Sequence, residues 1–370
     1  MAGPLGQLGR RPGGTSVASS GARDAAGPGQ QPGVPLLEVS DLRVRFRSRG
    51  ETVHAVQGIS YTVEPGRTLA IIGESGSGKT VSAYAVLGLL PRTAQVSGSI
   101  RFKGVEIVGL GERELREHRG RNVAMVFQNP ERSLNPTMKV GNQITEAVRR
   151  HLPLGREQAR ERAIELLQTV RIPAAERRFH EYPHQLSGGM RQRVIIAIAL
   201  ACEPALLIAD EATTALDVTT QAQIMDLLLD LQAQLGTALV MISHDLALAA
   251  SYAEDIMVMY AGRVVEQACA EDLFASVRMP YTRALLDAVP RVELEPHVLL
   301  PVIGGLPPDL SKPAPGCSFA PRCPEAQPGC HAAMPPLEEH ETGHWWACWH
   351  PCEGGRGGQG GAGRAEGGAR

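Results

Sequence analysis

The sequence lacks long apolar runs and has few aromatic residues. Its longest unbroken apolar stretch, Val194 to Cys202, is about nine residues, whereas a membrane-spanning helix needs about 18–20. Aromatic residues make up only 4% of the 370 residues, so we expect an aliphatic core divided over two or three domains. The N-terminus has no apolar signal core, so the pattern does not predict secretion.

The sequence also has no large excess of positive or negative charge. The formal net charge is −2, and 21% of the residues are charged. Neither the basic surface of a nucleic-acid binder nor an acidic tail is indicated. Lysine is especially scarce, with four lysines among 37 Lys plus Arg residues, so the position of each one is informative.

Both ends of the chain have little that could form a core. Residues 1–34 and 353–370 consist largely of Gly, Pro, Ser, Ala and Arg, with very few large apolar side chains. Such segments cannot bury enough surface to offset the entropy cost of ordering. We therefore predict a disordered N-terminal extension and a disordered Gly-rich tail.

One segment fits a known phosphate-binding pattern. It matches G-x-x-x-x-G-K-[ST] between a predicted strand at 69–72 and a predicted helix at 81–90, which is the context that this motif requires. One of the scarce lysines is at the required position, where its compact ammonium fits between the β- and γ-phosphates. The alternative is a glycine-rich turn that happens to carry a lysine. The candidate nucleotide-binding residues are Gly73, Glu74, Ser75, Gly76, Ser77, Gly78, Lys79 and Thr80.

The apolar pattern predicts an α/β fold. Short apolar segments ending at residues 72, 127, 209 and 242 are separated by predicted helices, which favours a doubly wound parallel sheet. Segments 37–46, 54–63 and 98–107 read as further strands bounded by Gly or Pro, and they predict a small antiparallel layer. Ligands of such sheets bind at the carboxyl ends of the strands.

Polar residues follow three of these strands: Gln128, Asp210 with Glu211, and His244. With Thr80, Asp210 and Gln128 could hold Mg²⁺, while Glu211 orients a water and His244 donates to the γ-phosphate. Taken singly, each has a plainer alternative, such as a helix N-cap for the acidic pair or a structural histidine. Their positions on successive strands behind the P-loop favour the functional interpretation.

Two other features bear on nucleotide binding. Phe46 precedes the P-loop and could stack on an adenine ring or simply be a core aromatic. Ser187, Gly188 and Gly189 begin a helix that Pro204 ends, and a helix start with free N–H groups is an anion site. An ordinary capped helix is the alternative.

The joint pattern resembles that of a known family. In order and spacing, residues 73–80, Gln128, 186–193, 206–211, 214–217 and His244 resemble the Walker A, Q-loop, signature, Walker B, D-loop and H-loop of an ABC transporter ATPase subunit. The resemblance implies a P-loop NTPase cassette with an antiparallel β subdomain and a helical signature subdomain at about 129–200. It also implies ATP and Mg²⁺ as ligands.

In that family, two cassettes enclose two ATP molecules head to tail. The resemblance implies that Glu211 is the catalytic glutamate, assisted by His244 and Gln128. It further implies that Ser187, Gly188 and Gly189 complete the nucleotide site of the facing subunit, and that Asp217 of the D-loop also takes part in nucleotide binding. Ala212 and Met190 depart from the usual Pro and Gln, but neither departure removes a catalytic group.

Flanking segments narrow the resemblance to oligopeptide/dipeptide (and nickel) importers. Residues 127–136, 280–290 and 315–348 are similar to segments of that group. This implies a cassette at 35–270 and a C-terminal extension at 271–352. The implied partners are two membrane permease subunits, a second ATPase subunit (a related chain or a copy of this one) and an extracytoplasmic solute-binding protein, with the chain peripheral on the cytoplasmic face of the membrane. Segment 129–180 is expected to contact the permease.

Five of the seven cysteines crowd into the C-terminal part of the chain. Cys202 and Cys269 lie in apolar contexts and read as inert core residues. Four cysteines could ligate a [4Fe–4S] cluster through four thiolates, as in some members of the resembled group. A zinc site or plain reduced thiols are the alternatives, and Cys352 is surplus in each case. The four candidate ligands are Cys317, Cys323, Cys330 and Cys348.

Two rival functions fit less well. A soluble ABC ATPase acting on DNA or ribosomes would need a coiled-coil insertion or a tandem second cassette with a basic linker, and the near-zero net charge argues against nucleic acid. A regulatory subunit that binds but does not hydrolyse nucleotide is disfavoured by Glu211 and His244.

Overall fold

The computed structural model describes residues 34–48, 50–128, 133–213, 216–289, 301–312 and 314–353. The predicted disordered ends therefore lie outside the described residues, apart from Val34 and Glu353. Parts of the segments at 127–136, 214–217 and 280–290 also lie outside them. No helix within the described ranges is both long and apolar enough to cross a membrane.

The strands of the described part are numbered in chain order. They are β1 (Leu37–Ser48), β2 (Glu51–Val63), β3 (Thr68–Ile72), β4 (Ala94–Phe102), β5 (Val105–Glu106), β6 (Val123–Val126), β7 (Leu206–Asp210), β8 (Ala238–Ser243), β9 (Asp255–Tyr260), β10 (Arg263–Cys269), β11 (Glu338–Glu341) and β12 (His344–Trp346).

The helices of the same residues are numbered likewise. They are α1 (Lys79–Val86), α2 (Glu112–His118), α3 (Val140–His151), α4 (Arg156–Thr169), α5 (Ala175–Phe179), α6 (Gly188–Ala199), α7 (Val218–Leu235), α8 (Leu246–Tyr252), α9 (Ala270–Ala275), α10 (Pro280–Asp287) and α11 (Pro328–Ala332). Short 3₁₀ turns cover Pro183–Gln185 and Ala320–Arg322.

The large sheet has the order β11-β12-β10-β9-β3-β8-β7-β6. Strands β6, β7, β8, β3 and β9 are mutually parallel, which confirms the predicted α/β fold with a parallel core. Strands β10, β12 and β11 add to it in antiparallel fashion, so the sheet is mixed. The predicted P-loop strand is therefore interior to the sheet, with its five residues buried.

The predicted antiparallel layer is present, with the order β2-β1-β4-β5. The single strand predicted at 98–107 is wrong in one respect, because the chain turns between β4 and β5. Lys103 and Gly104 have φ values of 50° and 78°, and such left-handed residues end a strand.

Two apolar clusters cover the two faces of the large sheet. Ile72 faces a cluster built with the helical segment, including α3, α4 and α6. Its neighbour Ile71 faces a cluster built with the antiparallel layer and α1. Such alternation is typical of a strand that is buried on both faces. The packing on both sides holds in place the end of β3 from which the P-loop projects.

The C-terminal residues join the large sheet through β12. Glu266 and Gln267 of β10 pair with Trp346 and Trp345. The buried Glu266 side chain also meets Nε2 of the buried His344 at 3.0 Å. The residues predicted to form a C-terminal extension thus contact the same sheet that carries the P-loop.

Candidate functional site: a phosphate-binding loop and the strand ends around it

The loop after β3 has a backbone that needs glycine. Gly73 and Gly78 have φ values of 155° and 100°. A Cβ on Gly73 would overlap the carbonyl oxygen of Met259, and one on Gly78 would overlap that of Ala55. The close approach of these neighbouring strands therefore requires glycine at both positions.

Lys79 begins α1 and is buried beneath this loop. Its Nζ donates to the carbonyl oxygens of Gly73 at 2.6 Å and Glu74 at 2.9 Å. Burial lowers the pKa of this ammonium, while the carboxylates of Glu211, Asp210 and Glu74 act in the opposite direction. The loop thus holds its lysine at the centre of the cradle, where phosphate oxygens would replace the carbonyl partners.

Asp210, the last residue of β7, accepts a hydrogen bond from the Thr80 hydroxyl at 3.0 Å. The aspartate is 2% exposed, and burial raises its pKa. A hydroxyl and a carboxylate side by side are hard oxygen donors of the kind Mg²⁺ takes. These two residues therefore fit the ion that the sequence predicts here.

Glu211 lies beside two of the other predicted residues. Its Oε2 accepts from Gln128 Nε2 at 2.5 Å, and its Oε1 lies 3.5 Å from His244 Nδ1. Its φ of 45° is unusual for a residue with a side chain, and such strain is common at functional sites. The parallel strand order brings the three side chains together, since β7 lies between β6 and β8.

These residues share one cavity of about 770 Å³. Residues 74–80, Gln128, Glu211 and His244 line it, as predicted from the strand ends. Ala55, Val81, Leu285 and Pro307 also line it, and the sequence patterns gave no sign of these four. The catalytic roles given to Glu211, Gln128 and His244 stay a prediction, which their shared cavity supports.

Among the described residues that line this cavity, none comes from the signature segment. Ser187 caps α6 by accepting from the Met190 N–H at 3.3 Å, and it is exposed. Asp217 caps α7 in the same way, through the Thr220 N–H. A Cβ on Gly189 would come within 2.8 Å of the Thr220 Cγ2 atom, so the two helix starts lie close together.

Phe46 lies on β1, opposite Val53 of β2. It is half-buried and packs against the apolar cluster under the antiparallel layer. Phe46 does not belong to the described lining of the cavity, so the prediction that it stacks on adenine stays a prediction.

The four predicted cysteine ligands surround one small cavity. Cys317, Cys323, Cys330 and Cys348 all line it, and all seven cysteines are free thiols. Burial raises the pKa of Cys348 to about 12. Over the described ranges, no group of three or more His, Cys, Asp or Glu side chains has the arrangement of a metal-ion site. Four converging thiols still fit the donor set of a [4Fe–4S] cluster, which is larger than a single ion.

A contact that the sequence did not predict joins the cysteine-rich segment to the P-loop. Arg322, next to Cys323, forms a two-pronged ion pair with Glu74, at 2.6 and 2.9 Å. The partners are 248 residues apart in the chain, and no periodicity or motif links positions so distant.

Comparison with known families and proteins agrees with this geometry. Residues 56–214 match the ABC transporter family, and residues 265–330 match the oligopeptide/dipeptide transporter C-terminal region. The oligopeptide transport ATP-binding protein OppD of Mycobacterium tuberculosis is 51% identical over 85% of this chain. The match covers 52% of that relative, so this chain spans about half its length.

Other relatives match over nearly their whole length. The probable peptide ABC transporter ATP-binding protein y4tR of Sinorhizobium fredii is 50% identical over 86% of this chain and 96% of its own. OppD of Salmonella typhimurium is 48% identical over 87% and 96%, respectively.

Solved structures show the same fold. A dimeric ATP-binding cassette, MJ0796, bound to ADP and phosphate in a post-hydrolysis state, has a TM-score of 0.57 and 28% identity, over 63% of this chain and 98% of that one. CbiO1 of Clostridium perfringens, part of the ABC transporter complex cbiONQ, has a TM-score of 0.56 and 30% identity, over 65% and 91%.

Proposed function

Because this chain belongs to the ATP-binding proteins of ABC transporters, in their oligopeptide/dipeptide group, we propose that it hydrolyses ATP to drive solute import. The observation that carries this proposal is the single cavity that holds the P-loop, Gln128, Glu211 and His244. The proposed solutes are oligopeptides or dipeptides, as in the names of the relatives and of the matching C-terminal family, with nickel or another small solute as the alternative.

In the proposed reaction, the P-loop N–H groups and Lys79 bind the phosphate chain of ATP. Thr80, Asp210 and Gln128 would hold Mg²⁺ through oxygen ligands, and the bound ion would neutralise charge on the transferred phosphoryl group. Glu211 orients the attacking water. The Gln128 amide donates to Oε2 of this carboxylate, and the remaining acceptor positions of the carboxylate can take a hydrogen bond from water.

In this proposal, the protein works as part of a complex at the cytoplasmic face of the membrane. Two permease subunits would carry the translocation path, with segment 129–180 in contact with them. A second ATPase subunit would complete the nucleotide sites, and an extracytoplasmic binding protein would deliver the solute. The domain limits of 35–270 and 271–352 stay part of this proposal.

Purification with the proteins encoded beside this one, followed by reconstitution into lipid vesicles, tests the proposal. We expect Mg²⁺-dependent ATP hydrolysis that the binding protein and a peptide stimulate, together with peptide uptake. Stimulation by nickel in place of peptide would select the alternative solute. Hydrolysis without uptake of any solute would contradict the transport function while leaving the ATPase activity intact.

The cysteine cavity forms a separate part of the proposal. The four surrounding thiols, Cys317, Cys323, Cys330 and Cys348, are proposed to hold a [4Fe–4S] cluster. An iron and sulfide assay on anaerobically purified protein should give about four of each per chain. Bound zinc without iron would replace the cluster with a zinc site, and a colourless, metal-free preparation would end the idea.

A further inference from the structure

The guanidinium of Arg322 is enclosed by hydrogen-bond acceptors. Its side chain is 5% exposed and is paired with the carboxylate of Glu74. Its remaining N–H groups donate to the Tyr260 hydroxyl at 3.1 Å and to the carbonyl oxygens of Gly304 and Ile303 at 2.8 and 3.2 Å. Five N–H donors thus meet five acceptor contacts, a geometry that arginine supplies and lysine does not.

The other half of the contact belongs to the phosphate cradle. Glu74 is the second residue of the P-loop, and it lines the nucleotide cavity. Its backbone N–H donates to the hydroxyl of the buried Tyr281 at 2.8 Å. Tyr281, Tyr260 and Phe319 pack ring against ring, with centroids 4.5 to 5.3 Å apart. Both the carboxylate and the amide of Glu74 are therefore fixed from the C-terminal side of the chain.

The charges around the cavity indicate the role of the ion pair between Arg322 and Glu74. Among the described residues that line the cavity, Glu74 and Glu211 are carboxylates, while Lys79 is the one lysine or arginine. Asp210 adds a further carboxylate next to Thr80. A phosphate chain is strongly anionic, so an uncompensated Glu74 would repel it from a cradle with a single ammonium. Arg322 is the counter-ion that removes this repulsion.

We propose that Arg322 is a positioning residue for nucleotide binding, which neutralises Glu74 and holds it clear of the phosphate path. This inference rests on the proposed ATP binding. It makes the cysteine-rich C-terminal residues part of the nucleotide site rather than an appendage. Arg322 does not touch the phosphates; it acts through Glu74.

The test is a double-mutant cycle read out by equilibrium binding of ADP and of ATP to the full chain. Arg322→Ala should weaken binding about tenfold, because it leaves a carboxylate facing the phosphates. Glu74→Gln removes the carboxylate that Arg322 neutralises, so Arg322→Ala should cost little further affinity in the Glu74→Gln background, and the double variant should bind more tightly than Arg322→Ala alone. Arg116→Ala, which breaks an exposed ion pair on α2, is the matched control.

Salt gives a second readout that a purely structural role would not move. The loss of nucleotide affinity in Arg322→Ala should become smaller as salt rises from about 0.05 M to 0.5 M, because screening weakens the repulsion between Glu74 and the phosphates. If Arg322→Ala does not fold, Arg322→Lys takes its place, with a smaller loss that Glu74→Gln again removes.

Two results would overturn the inference. One is unchanged affinity in Arg322→Ala. The other is a loss that Glu74→Gln fails to rescue, since Arg322 would then act only by supporting the fold through Gly304 and Ile303. Nucleotide binding by the wild-type chain distinguishes a failure of the proposed function from a failure of the role given to Arg322. If it binds no nucleotide, the proposed function fails, whereas a wild type that binds normally beside an unaffected variant rejects the role of Arg322 alone.

Discussion

Among single residues, Glu211 is the one on which we expect the proposed hydrolysis to depend most. It stands at the end of a buried strand with a strained backbone, and two side chains from neighbouring strands approach its carboxylate. An N-cap would not need such neighbours. The surroundings therefore favour the catalytic interpretation of the acidic pair over the helix-cap alternative.

We predict that Glu211→Gln loses turnover but keeps nucleotide binding. Glutamine preserves the shape of the side chain, while the charge that polarises the attacking water is gone, so hydrolysis should fall at least about a hundredfold. Phosphate release measures the rate, and equilibrium binding of ATP measures the affinity. The exposed Glu161→Gln on α4 is the control. Undiminished hydrolysis in Glu211→Gln would remove Glu211 from the mechanism.

The convergence of residues at the site could be predicted from the sequence because it follows from one rule. Parallel strands end at the same edge of a sheet, so the residues after β6, β7 and β8 had to meet the P-loop. The lining by Leu285 and Pro307 could not be predicted in this way. Leu285 lies on α10 and Pro307 in the described segment 301–312, and no strand or helix periodicity defines where these parts pack against the sheet.

Among the elements, the helical segment depends on a close contact between α3 and α5. Gly141 of α3 lies against the ring of Phe179, and a Cβ at that position would overlap the ring carbons. Phe179 belongs to the apolar cluster of this segment, and Gly141 is one of the buried residues of α3. The glycine is thus fixed by packing rather than by an unusual backbone angle.

We predict that Gly141→Ala destabilises the protein by about 1–3 kcal/mol, because the added methyl group overpacks the core. Urea unfolding followed by circular dichroism measures this loss. Gly329→Ala is the matched control, because a Cβ there meets nothing within 4 Å. Equal stability of the two variants would mean that Phe179 moves aside at little cost.

The attachment of β12 to β10 depends on a buried polar pair. The Glu266 carboxylate accepts from the backbone N–H groups of Arg278 and Met279 and from His344 Nε2. A carboxylate only accepts, so the histidine is the donor. This one side chain ties the C-terminal strand, the large sheet and the start of α10 together.

We predict that His344→Ala lowers the free energy of unfolding by about 2–3 kcal/mol, the cost of removing a buried hydrogen bond to a charged acceptor. The exposed His331→Ala should change stability by less than about 0.5 kcal/mol. Chemical unfolding of both variants provides the comparison. A His344→Ala chain as stable as the wild type would show that the β12 contact does not depend on this pair.

For the whole molecule, the sequence predicted the elements better than their long-range contacts. The antiparallel layer follows from apolar alternation and four of the five parallel strands from short apolar runs, whereas the turn at Lys103 and Gly104 and the fifth parallel strand, β9, were missed. The ion pair of Arg322 with Glu74 and the pairing of β12 with β10 join positions far apart in the chain. Such contacts depend on the packing of the complete fold, which local propensity does not encode.

If two cassettes share their nucleotide sites, as predicted, the signature residues and the P-loop of each chain are two half-sites. Ser187 and Asp217 cap neighbouring helices at an exposed surface. No signature residue belongs to the described lining of the nucleotide cavity of the same chain. Exposed helix starts attract anions, so these N–H groups are available to a nucleotide held by another cassette.

We predict that two inactive variants of this chain complement each other. Lys79→Ala removes the P-loop half, and Ser187→Arg blocks the signature half. In a dimer of one chain of each kind, one of the two sites is intact. A random equimolar mixture should then reach about a quarter of wild-type hydrolysis, since half of the dimers are mixed and each has one good site. Mixing Lys79→Ala with the Lys79→Ala/Ser187→Arg double variant should restore nothing, because no intact P-loop is present. A mixture of the two single variants that is no more active than its separate components would contradict a dimer in which two copies of this chain share their nucleotide sites.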